Sequence, residues 1–154
     1  MTVLGIDHAG ITVGSVEAAL GFYRDLLGLV VTDEGEDSGP ELDAITGLTG
    51  VHMRYAELDL GGGRLLELIE FAPPRGSGAS QPPIEPGASH LALRVDDVDA
   101  LCARLSAAGA TVRGTPTTIT APGPWHGARC VYAEDPDGRT VELVQRTEVH
   151  ESRL

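Results

Sequence analysis

The 154-residue chain repeats itself, and that limits what it can fold into more than any other feature. His8 is followed by Val13, Val16 and Gly28, and His90 by Val95, Val98 and Gly109, so the offsets are five, eight, and then twenty against nineteen. Each half closes on Gly-Arg-x-x-Glu-Leu, first over Gly63–Leu68 and again over Gly138–Leu143. A repeat of this length means one supersecondary unit used twice, with each copy needing its own order of strands and helix.

The unit can be read from local periodicity. In residues 3–13, Ala9, Ile11 and Val13 alternate with His8, Gly10 and Thr12, the period of a strand. Ser15 is placed to cap a helix over 16–27, with Val16, Leu20, Tyr23 and Leu27 at helical spacing and Gly28 as its stop. Residues 29–33 read as a short strand, and the acidic, glycine-rich stretch 34–50 as a loop with one helical turn near 41–46. Strands over 51–60 and 64–71 flank a tight turn at Gly61–Gly63. The second half follows the same order: a strand at 89–95 and a helix capped by Asp96 or Asp97 that runs to 108 before Gly109. A short strand and a Thr-rich extended stretch fill 110–120, a loop spans 121–127, and two strands flank the turn signal Asp135–Gly138.

The expected fold class is therefore α+β: two βαβββ modules in a pseudo-twofold arrangement, forming a curved mixed sheet with a concave metal cleft. The modules span 1–71 and 88–147. A linker with five prolines and three glycines covers 72–87, and a tail covers 148–154. A net charge of −12 argues against nucleic acid and anionic membranes as partners, since both are polyanions. No apolar run reaches the length of a membrane span, and the start MTVLGIDHAG lacks the pattern of a signal peptide, so a cytoplasmic location is expected. Cys102 and Cys130, outside any C-x-x-C pattern, are expected as reduced, partly buried thiols.

Strand parity then selects the candidate site. If Ala9, Ile11 and Val13 pack beneath the helix, His8 points to the other face, and Leu91, Leu93 and Val95 dispose His90 in the same way. Leu66 and Leu68 flank Glu67, and Val141 and Leu143 flank Glu142, so both carboxylates turn to the histidine side. A twofold pairing of modules would gather His8, Glu67, His90 and Glu142 around one divalent ion. Imidazole with carboxylate suits Ni, Co, Zn, Mn or Fe(II), and four protein ligands on a six-coordinate ion leave two positions for substrate oxygens.

The segments IDHAGITV, FYRDLLGL, GGGRLLELIEF, SHLALRVDDVDAL and EDPDGRTVELVQ resemble the vicinal oxygen chelate superfamily, which includes glyoxalase I, methylmalonyl-CoA epimerase, bleomycin resistance proteins and extradiol dioxygenases. The resemblance implies His8, Glu67, His90 and Glu142 as the metal ligands. Glu67 stands where bacterial glyoxalase I has Glu and methylmalonyl-CoA epimerases usually have Gln. It also implies a homodimer acting on a small-molecule substrate.

The expected chemistry is proton transfer next to a carbonyl, of the epimerase, isomerase or glyoxalase-lyase kind, through a metal-stabilised enolate with Glu142 and Glu67 as the proton-handling carboxylates. Two other readings stand beside it: an Fe(II) ring-cleaving dioxygenase using His8, His90 and Glu142, and a drug-binding protein without catalysis. His52, Arg54, Arg94, Trp125 and His126 are candidate substrate contacts. The two arginines are read as inward-facing holders of a substrate carboxylate, and Trp125 with His126 as part of a lid. Glu41 and Asp43 read as a solvated acidic face, with an acid/base group over the metal as the rival. His150 falls in the tail and is expected to be inert.

Overall fold

The computed structural model describes residues 2–72, 76 and 82–146. The chain divides into two compact units, Met1–Ala79 and Ser80–Leu154. The expected tail, with His150, lies outside the described residues.

In the first unit, strand β1 (His8–Thr12) leads to helix α1 (Val16–Leu20), which continues as a π-helical turn, Gly21–Leu26. Strand β2 (Val30–Ser38), helix α2 (Pro40–Thr46), and strands β3 (His52–Asp59) and β4 (Leu65–Phe71) follow. The sheet order is β1-β4-β3-β2, with β1 parallel to β4 and the other pairs antiparallel. The second unit repeats the pattern with β5 (His90–Arg94), α3 (Val98–Ala107), β6 (Val112–Thr118), β7 (Arg129–Glu134) and β8 (Thr140–Gln145). Its order is β5-β8-β7-β6, again with only the first pair parallel. Two βαβββ modules, each an α+β unit with a four-stranded mixed sheet, are thus present as the repeat requires.

Each helix covers one face of its own sheet. Val16, Ala19 and Leu20 of α1 are buried with Ala56, Leu58, Leu66 and Leu68 of β3 and β4. Val98, Leu101 and Leu105 of α3 are buried with Ala133, Val141 and Leu143. Ser15 and Asp97 cap the two helices by accepting from the N–H groups of Ala18 and Ala100. A second anchor, also repeated, had no obvious trace in the sequence. The Val16 N–H donates to buried Glu70 on β4, and the Val98 N–H donates to Gln145 on β8, both at 3.0 Å. These bonds tie the start of each helix to the last strand of its module.

The region 34–50 departs from the expected loop. Residues 34–38 extend β2 to Ser38, because β3 offers a continuous antiparallel partner and an edge strand tolerates outward charges. Gly35 leaves room there for the Tyr55 ring. A Cβ at this position would sit 3.0 Å from the Tyr55 hydroxyl, which lies across it and donates to Asp33. The helical turn near 41–46 appears as α2. Asp43 accepts from the N–H groups of Gly50 and Val51, both at 2.8 Å, so its carboxylate closes the α2–β3 connection rather than serving a site. Three successive glycines, Gly61–Gly63, all with positive φ, turn β3 into β4. Between β7 and β8, Asp135 accepts from the Asp137 and Arg139 N–H groups.

Candidate metal centre

The uncovered face of each sheet carries one His–Glu pair, and pairing register puts it there. In β1 and β4, His8 lies opposite Leu65 and Gly10 opposite Glu67, so His8 and Glu67 share a face one strand step apart. In β5 and β8, His90 lies opposite Thr140 and Ala92 opposite Glu142, the same relation. His8 Nε2 stands 3.5 Å from Glu67 Oε2, and His90 Nε2 stands 3.2 Å from Glu142 Oε2. The carboxylates are mostly covered, at 20% and 15% side-chain exposure, and the imidazoles are about half open.

Both separations exceed the roughly 2.7–2.9 Å of a charge-assisted hydrogen bond. For His8 the other ring nitrogen explains why. Its Nδ1 lies 2.9 Å from Asp7 Oδ1. A neutral ring that donates there turns a lone pair at Nε2 toward a carboxylate, an arrangement that a cation between them relieves. A proton is one such cation. The Asp7 hydrogen bond first, and the charges of Glu67 and Glu57 after it, raise the His8 pKa above its ordinary value against the opposing effect of partial burial. A divalent metal is the other. With bonds of about 2.1 Å, two cis ligands stand about 3.0 Å apart at a right angle and about 3.4 Å apart at a tetrahedral one. The observed separations fall in or close to that range, and the donors are one nitrogen and one oxygen per pair, so the residues fit a metal of the expected kind.

Among the described residues, no group of three or more His, Cys, Asp or Glu side chains is clustered to hold a metal. Each unit brings one imidazole and one carboxylate together.

Two residues missed in the sequence flank these pairs at equivalent places. Glu57 lies opposite Glu67, and Tyr132 lies opposite Glu142. The Tyr132 ring stands 5.5 Å from that of His90, tilted by 38°. The signal was present for Glu57: a tight turn on Gly61–Gly63 sets the register of β3 against β4, and counting back from it reaches Glu57. Cys130 shares that face with Tyr132. Burial, then the charge of Glu142, raises its thiol pKa. Both cysteines are free and partly buried, as expected.

The remaining candidates divide. Arg54 pairs in register with Glu70, and Ala56 with Leu68, so Arg54 and His52 lie on the helix-covered side, opposite to Glu67. The inward reading of Arg54 is therefore corrected: it stands three residues from Glu57, an odd offset that reverses the side. Both side chains are engaged by Glu36, His52 at 3.4 Å and Arg54 at 3.5 Å. Arg94 does share the face of His90 and Glu142. Trp125 lies under the guanidinium of Arg146, 4.1 Å from its ring centroid, and His126 Nδ1 stands 3.1 Å from the Thr120 carbonyl oxygen.

With this geometry in view, the sequence matches the model of the Glyoxalase/Bleomycin resistance protein/Dioxygenase superfamily over residues 5–143. The chain belongs to this superfamily. Its members bind small molecules and usually hold a divalent metal. Among its relatives, a 2-epi-5-epi-valiolone epimerase from Actinomyces sp. is 34% identical over 92% of this chain and 79% of its own length. A probable lactoylglutathione lyase from Synechocystis sp. is 28% identical over 90% of this chain and 92% of its own. A glyoxalase family protein from Bacillus cereus shares the fold, with a TM-score of 0.82 at 22% identity, covering 94% of this chain and 95% of that one. These relatives support a superfamily function of the glyoxalase/epimerase type. No helix among the described residues is long and apolar enough to cross a membrane.

Proposed function

We propose that the chain is a metal-dependent epimerase or glyoxalase-type lyase that moves a proton next to a carbonyl, with His8, Glu67, His90 and Glu142 together holding one divalent ion. The observation that carries this reading is the duplicated pair. At matching positions of two modules, an imidazole nitrogen faces a carboxylate oxygen at cis-ligand separation. The same approach of an imidazole nitrogen to a carboxylate oxygen in both modules supports a shared cation.

When bound, such an ion supplies a Lewis acid for a substrate carbonyl oxygen. The chain's own groups do the rest. Asp7 holds His8 in the tautomer that directs Nε2 at Glu67. Tyr132 packs on the His90 ring and limits its rotation. Glu67 and Glu142 each keep a second carboxylate oxygen, and their cover restricts water, so one takes a proton from the carbon beside the carbonyl and the other returns it. The relative named for 2-epi-5-epi-valiolone makes a polyhydroxylated ketone the first substrate to try. The superfamily resemblance adds a homodimer.

The test has two readouts. Elemental analysis of purified protein is expected to give about one metal equivalent per chain, lost in His8→Ala and Glu142→Ala. Metal-loaded protein in D₂O is expected to place deuterium beside the carbonyl of 2-epi-5-epi-valiolone or of another member of a 2-hydroxy ketone and hemithioacetal panel. Protein that takes up no metal and exchanges no proton in any of them overturns the proposal.

A further inference from the structure

We propose that the uncovered face of the second sheet carries an anion subsite, made by Arg94 and Arg146, that takes a phosphate or carboxylate group of the substrate. This rests on the reading of the His90–Glu142 face as the substrate face.

Three observations lead to it. The first is charge economy. The chain has 23 acidic residues against 11 basic ones. Arg24, Arg54, Arg113, Arg129 and Arg139 each lie beside a carboxylate. Among the described residues, no ion pair engages Arg64, Arg94, Arg104 or Arg146, although carboxylates outnumber cations about two to one. Of these four, Arg64 belongs to the first unit and Arg104 to α3, which leaves Arg94 and Arg146 beside the His90–Glu142 face. The second is placement. Arg94 lies opposite Val144 in the parallel β5–β8 register, one strand step beyond the Ala92–Glu142 rung. Arg146 follows Val144 by two residues, just beyond β8, so strand parity carried past Gln145 brings it to the same side. The third is preorganisation. Arg146 donates to the Pro124 carbonyl oxygen at 3.2 Å, and its guanidinium carbon stands over the Trp125 ring, 4.1 Å from the centroid. One N–H is used there, and the guanidinium keeps other donors for a ligand.

The repeat sharpens the assignment. The first module has Thr12 where the second has Arg94, and Phe71 where the second has Arg146. The metal-pair residues are the same in both modules, and the cations belong to one. Symmetric positions serve a function both halves share, whereas these break the symmetry at one end of the face. Planar guanidinium groups on one face suit phosphate and carboxylate oxygens alike. The rung spacing puts such a group about 7 Å along the strands from the Glu142 rung. That describes a hydroxy ketone with its anionic group several bonds from the carbonyl.

The experiment uses metal-free full-length protein, so that failure of the metal reading leaves it intact. Inorganic phosphate and acetate are titrated separately while arginine Nε–H and Trp125 indole signals are followed by NMR. The expected result is saturable shifts at Arg94, Arg146 and Trp125. Affinity falls about tenfold in Arg94→Gln, the loss that about 1.4 kcal/mol of one charge-assisted contact produces, and stays unchanged in Arg104→Gln, an exposed helix arginine of the same module. Tighter phosphate binding identifies a phosphate ester as the substrate class, and tighter acetate binding a carboxylate. Shifts that do not saturate with either anion, or that survive Arg94→Gln unchanged, overturn the proposal. Arg146→Lys, which keeps the charge and loses the planar fork, is expected to weaken binding less than Arg146→Gln, provided Trp125 fluorescence shows the loop intact.

Discussion

Replacing Glu70 by Leu tests whether the repeated strand-to-helix anchor holds the first module together. Glu70 is 9% exposed, and its Oε2 accepts the Val16 N–H at 3.0 Å, at the first turn of α1. Hydrogen bonds to a charged group contribute about 1.5–3 kcal/mol. A carboxylate at a helix N-terminus adds about 0.3–1 kcal/mol through the dipole. Leu restores some apolar burial but leaves the Val16 N–H without this acceptor, so the expected loss is about 2–3 kcal/mol. At about 2–4 °C per kcal/mol for a chain of this size, Tm falls by roughly 5–10 °C. Glu70→Gln is the control. Gln145 makes the equivalent bond to Val98 with a neutral amide at the same 3.0 Å, so Gln at 70 is expected to lose about 1 kcal/mol or less. Urea unfolding gives the free energies, and hydrogen exchange of residues 16–26 locates the loss. Equal stability of the Leu and Gln variants would show that the anchor contributes packing and not a hydrogen bond.

Asp7 and Asp43 give two pH-dependent outcomes of opposite sense. Asp7 raises the His8 pKa, so protons compete with a metal at His8 from above its ordinary value of 6.5 downward. Asp7→Asn removes the largest cause of that shift and is expected to move the acid loss of metal affinity to lower pH, read from competitive metal titrations between pH 5 and 8. Asp43 behaves in the opposite sense. The Val51 and Gly50 N–H groups hold its pKa below the ordinary 3.8. A depressed folded value means the stabilisation is present above 3.8 and lost as pH falls through the lower, folded value. Asp43→Asn is expected to flatten the acid limb of the unfolding profile below pH 4 while leaving the near-neutral His8 dependence alone.

Local physics made much of this protein legible in its sequence. Strand alternation around His8 and His90, the Ser15 and Asp97 caps, and the glycine turn are set by neighbours a few residues away, and the repeat confirmed each module by its copy. Those same patterns indicated which face His8, Glu67, His90 and Glu142 would take. Tertiary structure decided what depends on residues far apart in the chain. The parallel β1–β4 and β5–β8 registers set each histidine one strand step from its glutamate, a relation that no local period contains. Pairing with β3 drew the acidic residues 34–38 into a strand, and it turned Arg54 toward the helix side. The anchoring of Glu70 and Gln145 at the helix starts, and the seating of Arg146 on Trp125, likewise exist only once distant segments meet. Side-chain direction within an element follows from its own period, whereas partner and register are chosen by the whole fold.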